Sequence, residues 1–303
     1  MKIELGHGRH HTPPPCLWLY MASHTLRSST MPHLLHTVVL STMPQTVSFV
    51  SSIVFQKSLD QDSPLALDYS KHIRRLWCDQ CWEDGNGPYG SKDYSAFYQI
   101  IRGVDLLGLN FHALHFLYKA LALDSPDVDP SKDWTCQQII FTGFYPRWQP
   151  LMFTNPGMAL LKRITHLMFW MPAQQGRRLS SPANNDYAPE WVEEIPFEWL
   201  PNLTHFAFPL VRADLSGPTP VAIWVPDEIL AYVAPTPNFK PAVFREWALS
   251  RDPVRHGVVT TFRTPPIYRI GRSQVKWEPS FTMGEASRIW SEVEDRLAKL
   301  VDA

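Results

Sequence analysis

Only four of the 303 residues are cysteine, and they are scattered along the chain. That excludes a disulfide framework and makes a reducing compartment the expectation. Charge of one sign is equally scarce. A net charge of −1 leaves no electrostatic footprint for nucleic acid, and no nucleic-acid partner is expected. No apolar run approaches the roughly 20 residues of a membrane span. The apolar stretch at residues 16–22 is short and follows Pro13-Pro14-Pro15, so neither a signal peptide nor a membrane partner is read. The expected location is intracellular, cytoplasmic or nuclear. Signature motifs of catalysis are missing too: the chain contains no G-x-S-x-G, no P-loop and no H-E-x-x-H.

What is there describes a globular chain, with 45% hydrophobic and 19% charged residues. The 12 Trp and 16 Phe bury much area per residue. The 28 Pro are about twice the usual share and predict many short elements. Residues 1–30 differ from the rest. They hold the proline triplet and four of the 12 His, with no sustained period, and are expected to be a poorly ordered tail. His7, His10 and His11 form a loose tract whose geometry nothing fixes, so a solvated tail is preferred to a metal site.

Residues 31–303 read as one domain. Val38-Val39-Leu40 is strand-like. Val47, Val50, Ile53 and Val54 then recur at helical spacing behind Thr42 and Pro44. Residues 72–78 form another strand candidate. Ser91 or Asp93 is placed to cap a helix whose face is Phe97, Ile100, Ile101, Val104 and Leu107. Strands are expected at residues 114–118 and 136–141, and a short helical turn at 158–162. Pro226, Asp227 and Glu228 are placed to open a helix that Pro235 ends. Residues 243–247 and 258–262 read as late strands. The end of the chain is the clearest helix, residues 282–303. Thr282 and Glu285 fit a capping box, and Ala286, Ile289, Trp290, Val293, Leu297 and Leu300 lie on one stripe.

Two stretches organise this pattern, Ile164-Thr165-His166-Leu167-Met168-Phe169 and Leu203-Thr204-His205-Phe206-Ala207-Phe208, 39 residues apart. Both read apolar-Thr-His-apolar-x-Phe, with the alternation of a strand that buries one face. The return of a strand plus a helical connection predicts an α/β fold, an irregular strand–helix solenoid of leucine-rich-repeat-like type with a C-terminal capping helix. An ordinary layered α/β or α+β domain is the alternative.

The remaining chemical motifs favour bland readings. Gly85-Asn86-Gly87-Pro88-Tyr89-Gly90 matches G-x-G-x-x-G, yet Pro88 removes an amide from the phosphate cradle, and Glu83 and Asp84 repel a pyrophosphate. Cys78-Asp79-Gln80-Cys81 is half of a zinc pattern without its second half. Asp124, Asp127 and Asp129 are broken by Pro126 and Pro130 and do not make a calcium loop. No catalytic residue, metal ligand or cofactor is assigned. The alternative to a non-enzymatic protein is a small-molecule enzyme using the loop at residues 85–90.

Residues 33–57, with Leu34-Leu35-His36-Thr37-Val38-Val39-Leu40, resemble the segment after the F-box in mushroom-type fungal F-box proteins with degenerate leucine-rich repeats. Residues 164–169 and Leu200-Pro201-Asn202-Leu203-Thr204-His205 are similar to that family's repeats. Arg251-Asp252-Pro253-Val254-Arg255 and residues 284–290 resemble its C-terminal part. The resemblance implies a substrate-recognition region that binds a protein partner. Residues 1–30 lack the Leu-Pro start and the helical unit of an F-box, so no direct binding to the ubiquitin-ligase adaptor is expected.

If Leu167, Phe169, Phe206 and Phe208 face a core, alternate residues face the other way. With the neighbouring strand candidates, that second face carries Arg75, Trp77, Phe116, Tyr118, His166, Met168, Trp170 and His205. Aromatic residues with Arg are enriched at binding hot spots, which makes this face the expected protein-binding surface. A second layer covering the face is the competing reading.

Overall fold

Strands buried on both faces carry apolar residues at every position, and sort them by parity. In the computed structural model Leu167 and Phe169 join one hydrophobic cluster while Met168 and Trp170 join another. The same division recurs at Leu76 and Cys78 against Trp77, at Ile139 and Phe141 against Ile140, and at Phe206 and Phe208 against Ala207. The structure describes residues 24–60, 63, 66–79, 94–122, 134–143, 146–170, 192, 194–210, 228–233, 258–263, 267–270, 274–277 and 279–301.

The elements run in the order α1 (His24–Leu35), β1 (Thr37–Leu40), α2 (Met43–Ser58), α3 (Tyr69–His72), β2 (Arg75–Cys78), α4 (Ser95–Gly103), β3 (Leu106–Asn110) and α5 (Leu114–Leu121). Next come β4 (Gln138–Thr142), α6 (Gln149–Met152), α7 (Asn155–Arg163), β5 (His166–Trp170), β6 (His205–Leu210), β7 (Glu228–Val233) and β8 (Val258–Arg263). A hairpin of β9 (Ile267–Ile270) and β10 (Gln274–Trp277) leads to the closing helix α8 (Pro279–Val301). The strands β1 to β8 lie in one sheet in chain order. β1 to β6 are parallel, and β7 and β8 are antiparallel.

Side chains of α2, α4, α5 and α7 share the first cluster, among them Val50, Ile53, Phe97, Ile101, Phe116, Leu117, Leu160 and Leu161. The helical connections of the parallel strands therefore cover one face. Helix starts follow local chemistry. The Thr42 amide donates to Gln45 Oε1 at 3.2 Å ahead of α2, and Thr154 Oγ1 accepts from the Gly157 amide at 3.2 Å at the start of α7. On the other face Ala286, Ile289, Trp290 and Val293 of α8 share a second cluster with Trp77, Leu106, Ile140, Met168, Trp170 and Ala207, and α8 contacts β7 and β8.

Several sequence expectations are corrected. Residues 114–118 form helix α5, not a strand, because Leu114, Leu117 and Leu121 with Phe116 and Ala120 recur at three and four residues. The strand lies earlier, at β3, where Leu107 had been read as the tail of a helix that in fact stops at Gly103. The helix expected after Pro226 is strand β7, whose Glu228–Val233 pairs along β6. Thr282 and Glu285 lie inside α8, which begins at Pro279, so they make no capping box. The closing helix contacts β7 and β8, the last two strands of the sheet, and its Ala286, Ile289, Trp290 and Val293 join the cluster on the second sheet face. The boundary at residue 30 is also crossed, because α1 runs through it and Leu35 packs on the core. The glycine loop at 85–90, Cys81, the acidic group at 124–129 and the strand expected at 243–247 lie outside the described residues. Cys78 and Cys136 are buried free thiols, and burial pushes the Cys136 thiol up to about 12. No described helix is long and apolar enough to cross a membrane.

Candidate metal-ligating site between the sheet and the C-terminal helix

The repeated Thr-His pair sits at the start of β5 and β6. Thr165 and His166 both send their amides to the Gln137 carbonyl, at 2.9 and 3.1 Å. Thr204 and His205 do the same to the Thr165 carbonyl, at 3.0 and 2.9 Å. Each threonine hydroxyl donates to that same carbonyl, at 3.3 Å from Thr165 and 3.2 Å from Thr204. Each hydroxyl also lies 2.7 Å from Nδ1 of the histidine that follows it. The sequence Thr-His thus fixes both the strand register and the ring orientation.

The parallel register places His166 directly beside His205. Their rings stack with centroids 3.8 Å apart and planes 18° apart. Trp290 of α8 sets its ring near-perpendicular to both, at 5.5 Å from His166 and 5.4 Å from His205. One helical turn later Glu294 lies on the same side of α8. Its Oε1 is 3.1 Å from His205 Nε2, with the His205 side chain 9% and the Glu294 side chain 56% exposed. Each of His166, His205 and Glu294 offers one ligand atom, all within 4.8 Å of one another.

Burial, with the neighbouring His205, lowers His166 to about 3, and burial lowers His205 to about 4. Both rings are neutral at neutral pH, so the His205–Glu294 contact is not an ion pair there. The sign of the resulting pH effect follows from linkage. A folded pKa below the ordinary 6.5 means that the unfolded chain takes up protons first as pH falls. The pair's contribution is complete above about pH 6.5 and is lost between that value and the folded-state values. In chelator, the urea midpoint of the wild type should therefore fall more steeply from about pH 6.5 to about pH 4 than that of a His166→Gln/His205→Gln protein. Equal slopes would sink this account.

Of the expected protein-binding set, Arg75, Trp77, His166, Met168, Trp170 and His205 share the parity of one sheet face, and Phe116 and Tyr118 do not belong to it. Trp77, Met168 and Trp170 lie on the second sheet face, buried in the cluster that α8 joins. Phe116 and Tyr118 are on α5, in the helical layer across the sheet. Phe116 is buried, and Tyr118 is tied to Arg147, accepting from its amide at 2.6 Å. Arg75, half-buried, shares the sheet row of Leu106, Gln138, His166 and His205. Only the two histidines are brought together as a chemical group. That group contains Glu294, which sequence reading missed; its i,i+4 spacing from Trp290 was the available signal. Among protein-family models, curated proteins and solved structures, none matches this chain.

Proposed function

We propose that the chain is a non-enzymatic protein-interaction module, built as an irregular leucine-rich-repeat-like solenoid and related to the substrate-recognition region of fungal F-box proteins. The observation that carries this reading is a backbone junction repeated at the start of successive strands. The amides of Arg74 and Arg75 donate to the His36 carbonyl, those of Asp105 and Leu106 to Arg74, those of Gln137 and Gln138 to Asp105, those of Thr165 and His166 to Gln137, and those of Thr204 and His205 to Thr165, so successive strand–helix units are tied at the same register. Stacked units joined to their neighbours in this way are scaffolds that display extended binding surfaces. With Trp77, Met168 and Trp170 of the second strand face buried, contact with a partner falls to the exposed connecting segments. Phe111 follows β3 and Phe153 follows α6, and they are 46% and 74% exposed. Phe111 also lies over Gly143, which follows β4 with φ +90°, so the segments leaving β3 and β4 meet. Aromatic residues left exposed are effective anchors for a protein partner.

The test is affinity capture with mass spectrometry, using the wild type and a Phe111→Ser/Phe153→Ser protein as baits. A partner retained by the wild type and depleted on the variant is expected, with no stoichiometric complex formed by purified ubiquitin-ligase adaptor. Recovery of nothing above a mock bait overturns the interaction reading. A stable adaptor complex overturns the expectation that this chain does not bind the adaptor directly.

A further inference from the structure

Each threonine hydroxyl in the Thr-His pairs has one proton and two polar neighbours, a main-chain carbonyl and an imidazole Nδ1. Donation to the carbonyl leaves the hydroxyl oxygen to accept from Nδ1–H, and both contacts are then hydrogen bonds. The neutral ring carries its lone pair on Nε2. This is the arrangement in which a partner on one ring nitrogen orients the other toward a metal. At His205 the lone pair meets Glu294 Oε1 at 3.1 Å. In this tautomer two acceptors face each other at that distance, and a cation between them would satisfy both. Atoms about 2.0–2.2 Å from one tetrahedral zinc lie roughly 3.3–3.5 Å from each other, close to the spacing already present.

We propose that His166, His205 and Glu294 form a divalent transition-metal site of the zinc class that fastens α8 to β5 and β6. Two imidazoles and one carboxylate are a donor set that zinc accepts with its fourth position left to water. Glu294 is the member on the solvent side, and His205 is the buried one. The rings stack at 18°, which sets their lone pairs nearly side by side. Binding therefore splays His166 away from the stack to bring its Nε2 to the ion. Thr165 and Thr204 act as positioning residues. The opposite proton arrangement, each threonine donating to Nδ1 and His205 Nε2–H donating to Glu294, is a hydrogen bond that needs no metal. The site stands on these side chains and is independent of the interaction reading above.

The full chain, stripped with chelator, is titrated with Zn²⁺ by calorimetry and with Co²⁺ by visible absorption. One tight equivalent is expected, with intense tetrahedral Co²⁺ bands and a melting temperature that rises with Zn²⁺. Glu294→Gln should weaken binding by about tenfold or more, and Thr204→Val by about 10–100-fold, as loss of an outer-sphere partner does. A His7→Gln/His10→Gln/His11→Gln protein should bind as the wild type does. Because His205→Gln removes a buried group, the half-exposed Glu294→Gln keeps the test valid if that variant fails to fold. Unchanged binding in Glu294→Gln, loss of the tight equivalent with the tail variant, or no uptake by the stripped wild type overturns the site. The last result leaves the His205–Glu294 hydrogen bond only.

Discussion

Removal of residues 279–303 is expected to leave the protein aggregated, not merely less stable. The helix α8 places Ile289, Trp290 and Val293 on a sheet face made of Trp77, Leu106, Ile140, Met168, Trp170 and Ala207. Without it, the sheet side of that cluster loses Ile289, Trp290 and Val293 and opens toward water. Apolar patches of more than a few hundred Å² on a monomer are association surfaces. Trp290 alone can bury on the order of 200 Å², an upper estimate of about 5 kcal/mol for that one side chain. Size-exclusion chromatography and thermal melting provide the check. A truncated chain that stays monomeric with an unchanged melt would mean that α8 is a free element. A trim at the other end is less innocent than its composition implies. Cutting through residue 30 divides α1, whose Leu35 packs on the core.

The two-faced character of the sheet was legible because period two is a local property. Leu167 and Phe169, or Phe206 and Phe208, announce their shared face within a few residues. Residues 114–118 were not legible as a helix. Four apolar or aromatic residues with one histidine fit either period, and the deciding residues, Ala120 and Leu121, lie beyond them. The stripe of α8 was also plain, but not its landing place. A helix states that it needs an apolar partner and says nothing of which face supplies one. The candidate site divides in the same way. Thr165-His166 and Thr204-His205 stand out as a repeat, and the parallel register then brings the histidines together. Glu294 is one of three acids with Glu292 and Asp295 at the end of the helix. Only the docking of Trp290 against both rings selects it.

Gly108→Ala should cost about 3 kcal/mol, the upper part of the range for overpacking a filled core. Gly108 is the β3 residue directly beside Trp77 of β2 and Ile140 of β4, in the middle row of the second sheet face. A Cβ at this position would stand 2.1 Å from Trp77 Cε3 and 2.7 Å from Cζ3. Contacts that short cannot be absorbed by vibration, so the indole has to move. It has nowhere to go, because Trp77 is fully buried and lies in one cluster with Ile140 and Met168. The glycine is thus required by the space it leaves, not by its backbone freedom. A double-mutant cycle separates this cause from an effect of alanine on the strand itself. Trp77→Leu shortens the side chain that the new methyl would strike. In that background Gly108→Ala should cost well under about 1 kcal/mol, since only the clash is relieved while the strand is unchanged. The quantities to compare are urea midpoints at constant m for the wild type, both single variants and the double. A Gly108→Ala protein within about 0.5 kcal/mol of wild type, or an equal loss in both backgrounds, would show that Trp77 does not lie across Gly108 in solution.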